Sequence, residues 1–203
     1  MNQNLNPSPA PTRVIGCGMI AREILAVCDQ LNLDHIDLKC LPAMWHHHPE
    51  KIAPGVETAI LEARDEGYDQ IFIAYADCGT GGHLDKVCEK YGVERIAGPH
   101  CFSFYIGNEE FKAAGEDFIT SFFMTDFLAR HFQAFLVKPL GLDKHPELLE
   151  MYFGNYTKMI YLAQTENQEL TLNAMAAAKF LGLEYEKRLT GYGDLSPALE
   201  ANN

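Results

Sequence analysis

The sequence has no long hydrophobic run. No uncharged apolar stretch approaches the roughly 18 residues a spanning helix needs, so no membrane segment is expected. It is also short of positive charge. Sixteen Lys and Arg stand against 28 Asp and Glu, a formal charge of −12. Such a chain lacks the electrostatic footprint for phosphate backbones or anionic membranes, which argues against nucleic-acid and membrane partners. There is no CxxC pair, no Walker loop, no internal repeat and no clear linker. Residues 1–12 are rich in Asn and Pro without an apolar centre, so they read as a disordered lead rather than a signal peptide. With no export signal, the expected compartment is the reducing cytoplasm, where structural disulfides are rare.

The composition that remains is globular: 203 residues, 47% hydrophobic and 22% charged. Strand-like and helix-like patterns alternate along it. Val14-Ile15 precedes Gly16-Cys17-Gly18, and a helical face follows with Ile20, Ile24, Val27 and Leu31. Ile36, Leu38 and Cys40 alternate with polar residues, as in a half-buried strand. A second helix is expected from about Gly55. The run from Gln70 to Tyr75 suits a strand covered on both faces. A helix with Leu84, Val87, Cys88 and Tyr91 leads to a short strand at Arg95-Ile96-Ala97. Ile119–Met124 reads as another strand. Asp126 and Arg130 have the spacing of a surface ion pair on the helix after it. Leu149, Tyr152, Phe153, Tyr156, Met159 and Ile160 fit one face of a long helix. A helix over about Leu170–Leu181 stops at Gly182, and a last strand covers Glu184–Leu189. The pattern predicts an α/β fold with a mostly parallel sheet flanked by helices, as one domain over 13–203.

The six cysteines fall into two groups. Cys28, Cys40 and Cys88 share faces with apolar residues and read as small buried hydrophobes. Cys17, Cys78 and Cys101 each follow a strand-like run, 61 and 23 residues apart. In a parallel sheet such junctions meet at the carboxyl edge, where ligands bind. Three thiolates suit zinc, copper(I) or an iron–sulfur cluster. A cubane normally takes four cysteines, so three would leave one iron open. The alternative is that these are small residues chosen for crowded turns.

Asp77-Cys78-Gly79-Thr80-Gly81-Gly82-His83 is the most unusual stretch. Its glycines allow close backbone approach, and a following helix N-terminus could receive an anionic group. Gly18, Gly79, Thr80, Gly81 and Gly82 are therefore candidate cofactor contacts, although a tight strand-to-helix turn would also explain them. The same geometry would lower the pKa of Cys78 and make it a nucleophile, with His83 or His100 as its base. His46, in the run His46-His47-His48-Pro49, and His100 are candidates for a fourth ligand or an acid/base role. Asp77 is a third catalytic candidate.

Ile15-Gly16-Cys17-Gly18, His46–Pro49, Ala74–Gly82 and Pro99-His100-Cys101 together resemble the motifs of domain-of-unknown-function family 1638. The resemblance runs from about Arg13 to Leu195, with the Cys78 loop as its most specific part. Cys17, His46, Cys78 and Cys101 match the family pattern. Trp45 stands for its leucine, Ala76 for its first loop glycine and His100 for its aspartate. The resemblance implies that Cys17, Cys78 and Cys101 form the core motif, and it implies a setting in one-carbon metabolism beside a corrinoid or methyltransferase protein. The expectation is a metal-centre protein acting on a small-molecule substrate. A [4Fe–4S] cluster is the first choice and a single zinc or iron the second. A metal-free thiol enzyme using Cys78 and a non-catalytic accessory protein are the alternatives.

Overall fold

The computed structural model describes residues 10–202. The first nine residues of the expected lead lie outside them, and Thr12 already opens the first strand. The chain is α/β throughout, with two all-parallel sheets. It divides into two compact units, residues 1–99 with 195–203, and residues 100–194. The single stretch expected over 13–203 thus carries two sheets. No linker is legible because the division falls at Pro99-His100, within a short turn.

In the first unit the order is β1 (Thr12–Cys17), α1 (Ala21–Leu31), β2 (Ile36–Leu41), α2 (Ile52–Asp65), β3 (Gln70–Ala74), α3 (His83–Tyr91) and β4 (Glu94–Arg95). The strands lie in the order β2-β1-β3-β4. From β1 the chain first crosses to one side and then returns past β1 to the other. Right-handed crossovers in opposite directions put α1 on one face and α2 and α3 on the other. The packing agrees: α2 lies on α3. The last helix of the described chain (Leu195–Ala201) covers α1.

Ile15 of β1, Ile73 of β3, Val56 and Ile60 of α2, and Leu84 of α3 form one continuous core. α1 ends at Asn32, whose left-handed backbone lets its N–H reach the last carbonyls. The second helix starts three residues before the Gly55 expected as its beginning. Gly55 lies inside it, where the Trp45 ring packs: a Cβ on Gly55 would sit 2.1 Å from that ring. Cys88 is buried, as its helical face predicts. Cys40 is exposed instead, near the carboxyl end of the edge strand β2.

The second unit contains α4 (Cys101–Ile106), α5 (Asn108–Ala114), β5 (Ser121–Thr125), α6 (Asp126–Phe132), α7 (Leu148–Phe153), β6 (Lys158–Ala163), α8 (Gln168–Leu181) and β7 (Glu184–Leu189). The remaining helix, Leu195–Ala201 of the first unit, is α9. The strand order is β5-β6-β7. Both crossovers run the same way, so α6 and α8 share a face and pack together. α4 packs on β5 and β6. A kink at His131 passes α6 into a π-helical turn over Gln133–Val137.

The long helix expected through Ile160 is not formed. It stops at Phe153, and Lys158–Ala163 is the central strand. Met159 to Ala163 are all fully buried, which a strand covered on both faces achieves and a one-sided helix does not. Nor is Asp126 on the surface in a pair with Arg130. It opens α6 at the buried carboxyl end of β5 and turns toward β6.

Candidate functional site

β1 and β3 are neighbours from which the chain departs in opposite directions. The crevice beyond their carboxyl ends is the switch point at which doubly wound sheets bind ligands. Cys17 is the last residue of β1. Cys78 follows β3 by four residues. Both pack against the core face covered by α2 and α3, beside Trp45 and Tyr75. Tyr75 extends the face of Ile71 and Ile73 at period two and is only 2% exposed. Its hydroxyl has no hydrogen-bond partner among the described residues, and burial, then the nearby Cys17 thiol, raises its pKa. Sequence reasoning passed over Tyr75 as part of an apolar run. The signal was its place in the same alternation that buries Ile73.

Cys78 holds a left-handed backbone, φ 49°. That conformation costs a residue with a Cβ about 1–2 kcal/mol, and three glycines around it, Gly79, Gly81 and Gly82, take it freely. A thiol kept where glycine would be easier points to use of the side chain. The loop is firmly held. The Cys78 N–H donates to the Pro99 carbonyl at 2.8 Å and the Asp77 N–H to Gly98 at 3.0 Å. Arg95 fixes that acceptor segment, donating to the Ile96 carbonyl while clamping Asp85 with two of its nitrogens.

Asp77 serves the loop itself. Its carboxylate accepts from the Thr80 hydroxyl at 2.6 Å, Gly82 N–H at 2.9 Å and Gly81 N–H at 3.2 Å. Burial works to raise its pKa. The Thr80 hydroxyl, the two N–H groups and the Arg95 charge outweigh this and hold it below the usual value. The N–H groups expected to cradle an external anion thus already bind an internal one. Gly79 lies against Pro49, so the His46–Pro49 segment runs beside this loop. Gly18 has a packing reason: a Cβ there would sit 2.8 Å from the Leu41 carbonyl oxygen.

The electrostatics differ from the sequence expectation for Cys78. α3 begins only at His83, five residues on, and its dipole does not act on the thiol at close range. Burial, then Cys17 and Asp77, push the Cys78 pKa up to about 12. Burial also raises Cys17. His46 is exposed, but the desolvation it does undergo, with His47 beside it, lowers its pKa.

Cys101 and His100 belong to the second unit. Cys101 is half-buried and heads the six-residue α4. The His100 carbonyl accepts from the Ser103 hydroxyl, and its ring packs edge-on to Phe111. Burial lowers its pKa. All six cysteines are free. Among the described residues no group of three or more His, Cys, Asp or Glu is arranged to hold a metal ion. Among the same residues no helix is long and apolar enough to cross a membrane.

The fold and site define an α/β protein with a thiol pair at the switch point of a doubly wound parallel sheet. The chain belongs to the family described as "Protein of unknown function (DUF1638)", whose pattern matches residues 40–199. His46, Cys78 and Cys101 lie within that match, and Cys17 precedes it. No curated protein and no solved structure matches the chain.

Proposed function

We propose that this chain is a cytoplasmic metal-centre protein whose Cys17 and Cys78 thiols hold a thiophilic group at the first sheet's switch point. An iron–sulfur cluster is the first choice and a single zinc or iron the second. The observation that carries the reading is Cys78 itself, held in a glycine-type conformation at a ligand-binding edge with Cys17 beside it. The donor chemistry fits. Two soft thiols and the Tyr75 hydroxyl converge there, while the Asp77 carboxylate is already occupied by its own loop. Burial and mutual repulsion disfavour two adjacent thiolates, and a bound cation relieves both. Cys101 enters as a third thiolate on the sequence motif alone. The small-molecule substrate and the corrinoid or methyltransferase partner rest on the family resemblance alone. A bound iron with an open position would supply Lewis-acid polarisation of a substrate oxygen or sulfur. The protein's own part is to orient the sulfurs and to exclude water with Trp45 and Tyr75.

The test is anaerobic purification with analysis of iron, zinc and acid-labile sulfide. Loading is expected, with broad visible absorbance if the centre is a cluster. Cys17→Ala and Cys78→Ala should each reduce it at least about tenfold, while Cys40→Ala leaves it intact. Protein that carries neither metal and cannot be reconstituted refutes the proposal, and Cys101→Ala decides the third ligand.

The metal-free thiol enzyme makes the opposite prediction for reactivity. With a pKa near 12, Cys78 is thiolate to only about one part in 10⁵ at pH 7. Alkylation of the metal-free protein at Cys78, followed by peptide mass analysis, should be slow at pH 7. It should accelerate about tenfold per pH unit up to pH 10. A fast, selective burst at Cys78 at pH 7 would favour the thiol enzyme instead.

A further inference from the structure

We propose that the groove between α2 and α3 binds a small monocarboxylate with an apolar tail. The site lies within the first unit and does not depend on a metal centre. A cavity of about 770 Å³ opens there, within the roughly 300–1,000 Å³ of small-molecule sites. It follows from the local sequence. Ala53, Pro54 and Glu57 share one face of α2. His83, Lys86, Val87 and Lys90 recur every three or four residues along α3, which packs on α2. The short side chains of Ala53 and Pro54 leave the space between the helices open. Both ends of the groove are bridged. At one end Pro49 lies against Gly79. At the other, Glu57 of α2 accepts from Lys90 Nζ at 2.7 Å and from the Tyr91 hydroxyl at 2.9 Å. His83 and Lys90 stand seven residues apart, about 10 Å along the helix.

The lining sets the chemistry of the occupant. Its floor suits an apolar body, since Ala53 is buried and Val87 packs on the core of the unit. The acidic groups are engaged. Glu57 holds the two donors already named, and Glu50 stands 3.3 Å from the His48 ring. Lys86 is different. It is exposed, and its ammonium enters no ion pair or hydrogen bond among the described residues, in a chain of net charge −12. It is the cation of the groove left for a ligand, and the His83 ring stands one turn before it on the same face. A single free cation between two carboxylates favours one negative charge. A phosphate monoester carries a charge of roughly −1.5 to −2 at pH 7, and the excess would meet Glu50 and Glu57 unfavourably. The head of the groove is Gly79-Thr80, directly after Cys78, so a bound carboxylate borders the loop that carries the thiol.

Isothermal titration calorimetry of the full chain with hexanoate tests this, with hexanol and hexyl phosphate as comparisons. Saturable one-to-one binding of hexanoate is expected, at least about fivefold tighter than either comparison. Lys86→Gln should weaken hexanoate by about fivefold to tenfold and leave hexanol unchanged, while Lys86→Arg retains hexanoate. Val87→Asp should weaken hexanoate and hexanol alike. Lys86 is exposed, so its variants keep the fold, and far-UV circular dichroism checks all three. The absence of saturable hexanoate binding at millimolar concentrations overturns the proposal, as does binding that Lys86→Gln leaves unchanged. Tighter binding of hexyl phosphate overturns the choice of a monocarboxylate. Cys17→Ala, which removes a thiol of the metal centre, should bind hexanoate as the unaltered chain does, so the two readings fail separately. Binding lost in Cys17→Ala would place the carboxylate on the metal centre and overturn the groove.

Discussion

Asp126→Ala is expected to lower the stability of the protein by about 3–5 kcal/mol, measured by urea denaturation followed by circular dichroism. Asp126 is 2% exposed. Its carboxylate accepts from the Tyr161 hydroxyl at 2.7 Å, the Thr165 hydroxyl at 2.7 Å, the Thr165 N–H at 3.1 Å and the Gln164 N–H at 3.2 Å. Its own N–H donates to the Gln164 side chain at 2.8 Å. This one residue therefore ties the carboxyl ends of β5 and β6 together. Alanine leaves four donors unpaired, of which the two from Tyr161 and Gln164 are buried and cost about 1–3 kcal/mol each, while the two on Thr165 recover part of their loss from solvent. Asp126→Asn keeps the shape but offers an NH₂ where donors converge, so an intermediate loss is expected. A loss below about 1 kcal/mol for alanine would show that the bonds contribute little.

Gly193→Ala should cost about 3 kcal/mol or more, although it adds a single methyl group. The position has φ 49°, and a Cβ there would lie 2.2 Å from the Phe104 carbonyl oxygen and 2.5 Å from that of Tyr105. Both are backbone atoms of α4 and cannot swing aside. The turn is held in place, since the Asp194 N–H donates to Phe104 at 2.7 Å and the Asp194 carboxylate accepts from Asn108 at 2.8 Å. Gly182→Ala is the control. Gly182 also has positive φ, 72°, but open space around it, so only the conformational penalty of about 1–2 kcal/mol applies. Equal losses for the two variants would show that the close approach to α4 is not the cause.

The two aspartates show where local reading stops. Asp77 was legible as part of an odd loop, yet its carboxylate turns back onto the loop's own N–H groups. Asp126 suited a surface pair because spacing along a helix reports only what lies on that helix. Its real partners are more than 30 residues away, on the next strand and just past its end. The failed helix at Tyr156–Ile160 has the same origin. Apolar residues at helical spacing within a nearly continuous apolar run fit a buried strand equally well, and burial on two faces decides.

The sequence by itself determined the α/β alternation, the boundaries of β7 and the stop of α8, and the placing of Cys17 and Cys78 at or just beyond strand ends, because these follow from periodicity, glycine and turn chemistry within a few residues. Only the tertiary structure decided that the chain reverses direction between β1 and β3 and so makes their ends a binding edge. It also decided that Cys40 faces solvent on an edge strand, that Cys78 takes a left-handed backbone, and that Tyr75 is buried close to Cys17. Those outcomes depend on which strands become neighbours, a choice made by burial across the whole core rather than by any local pattern.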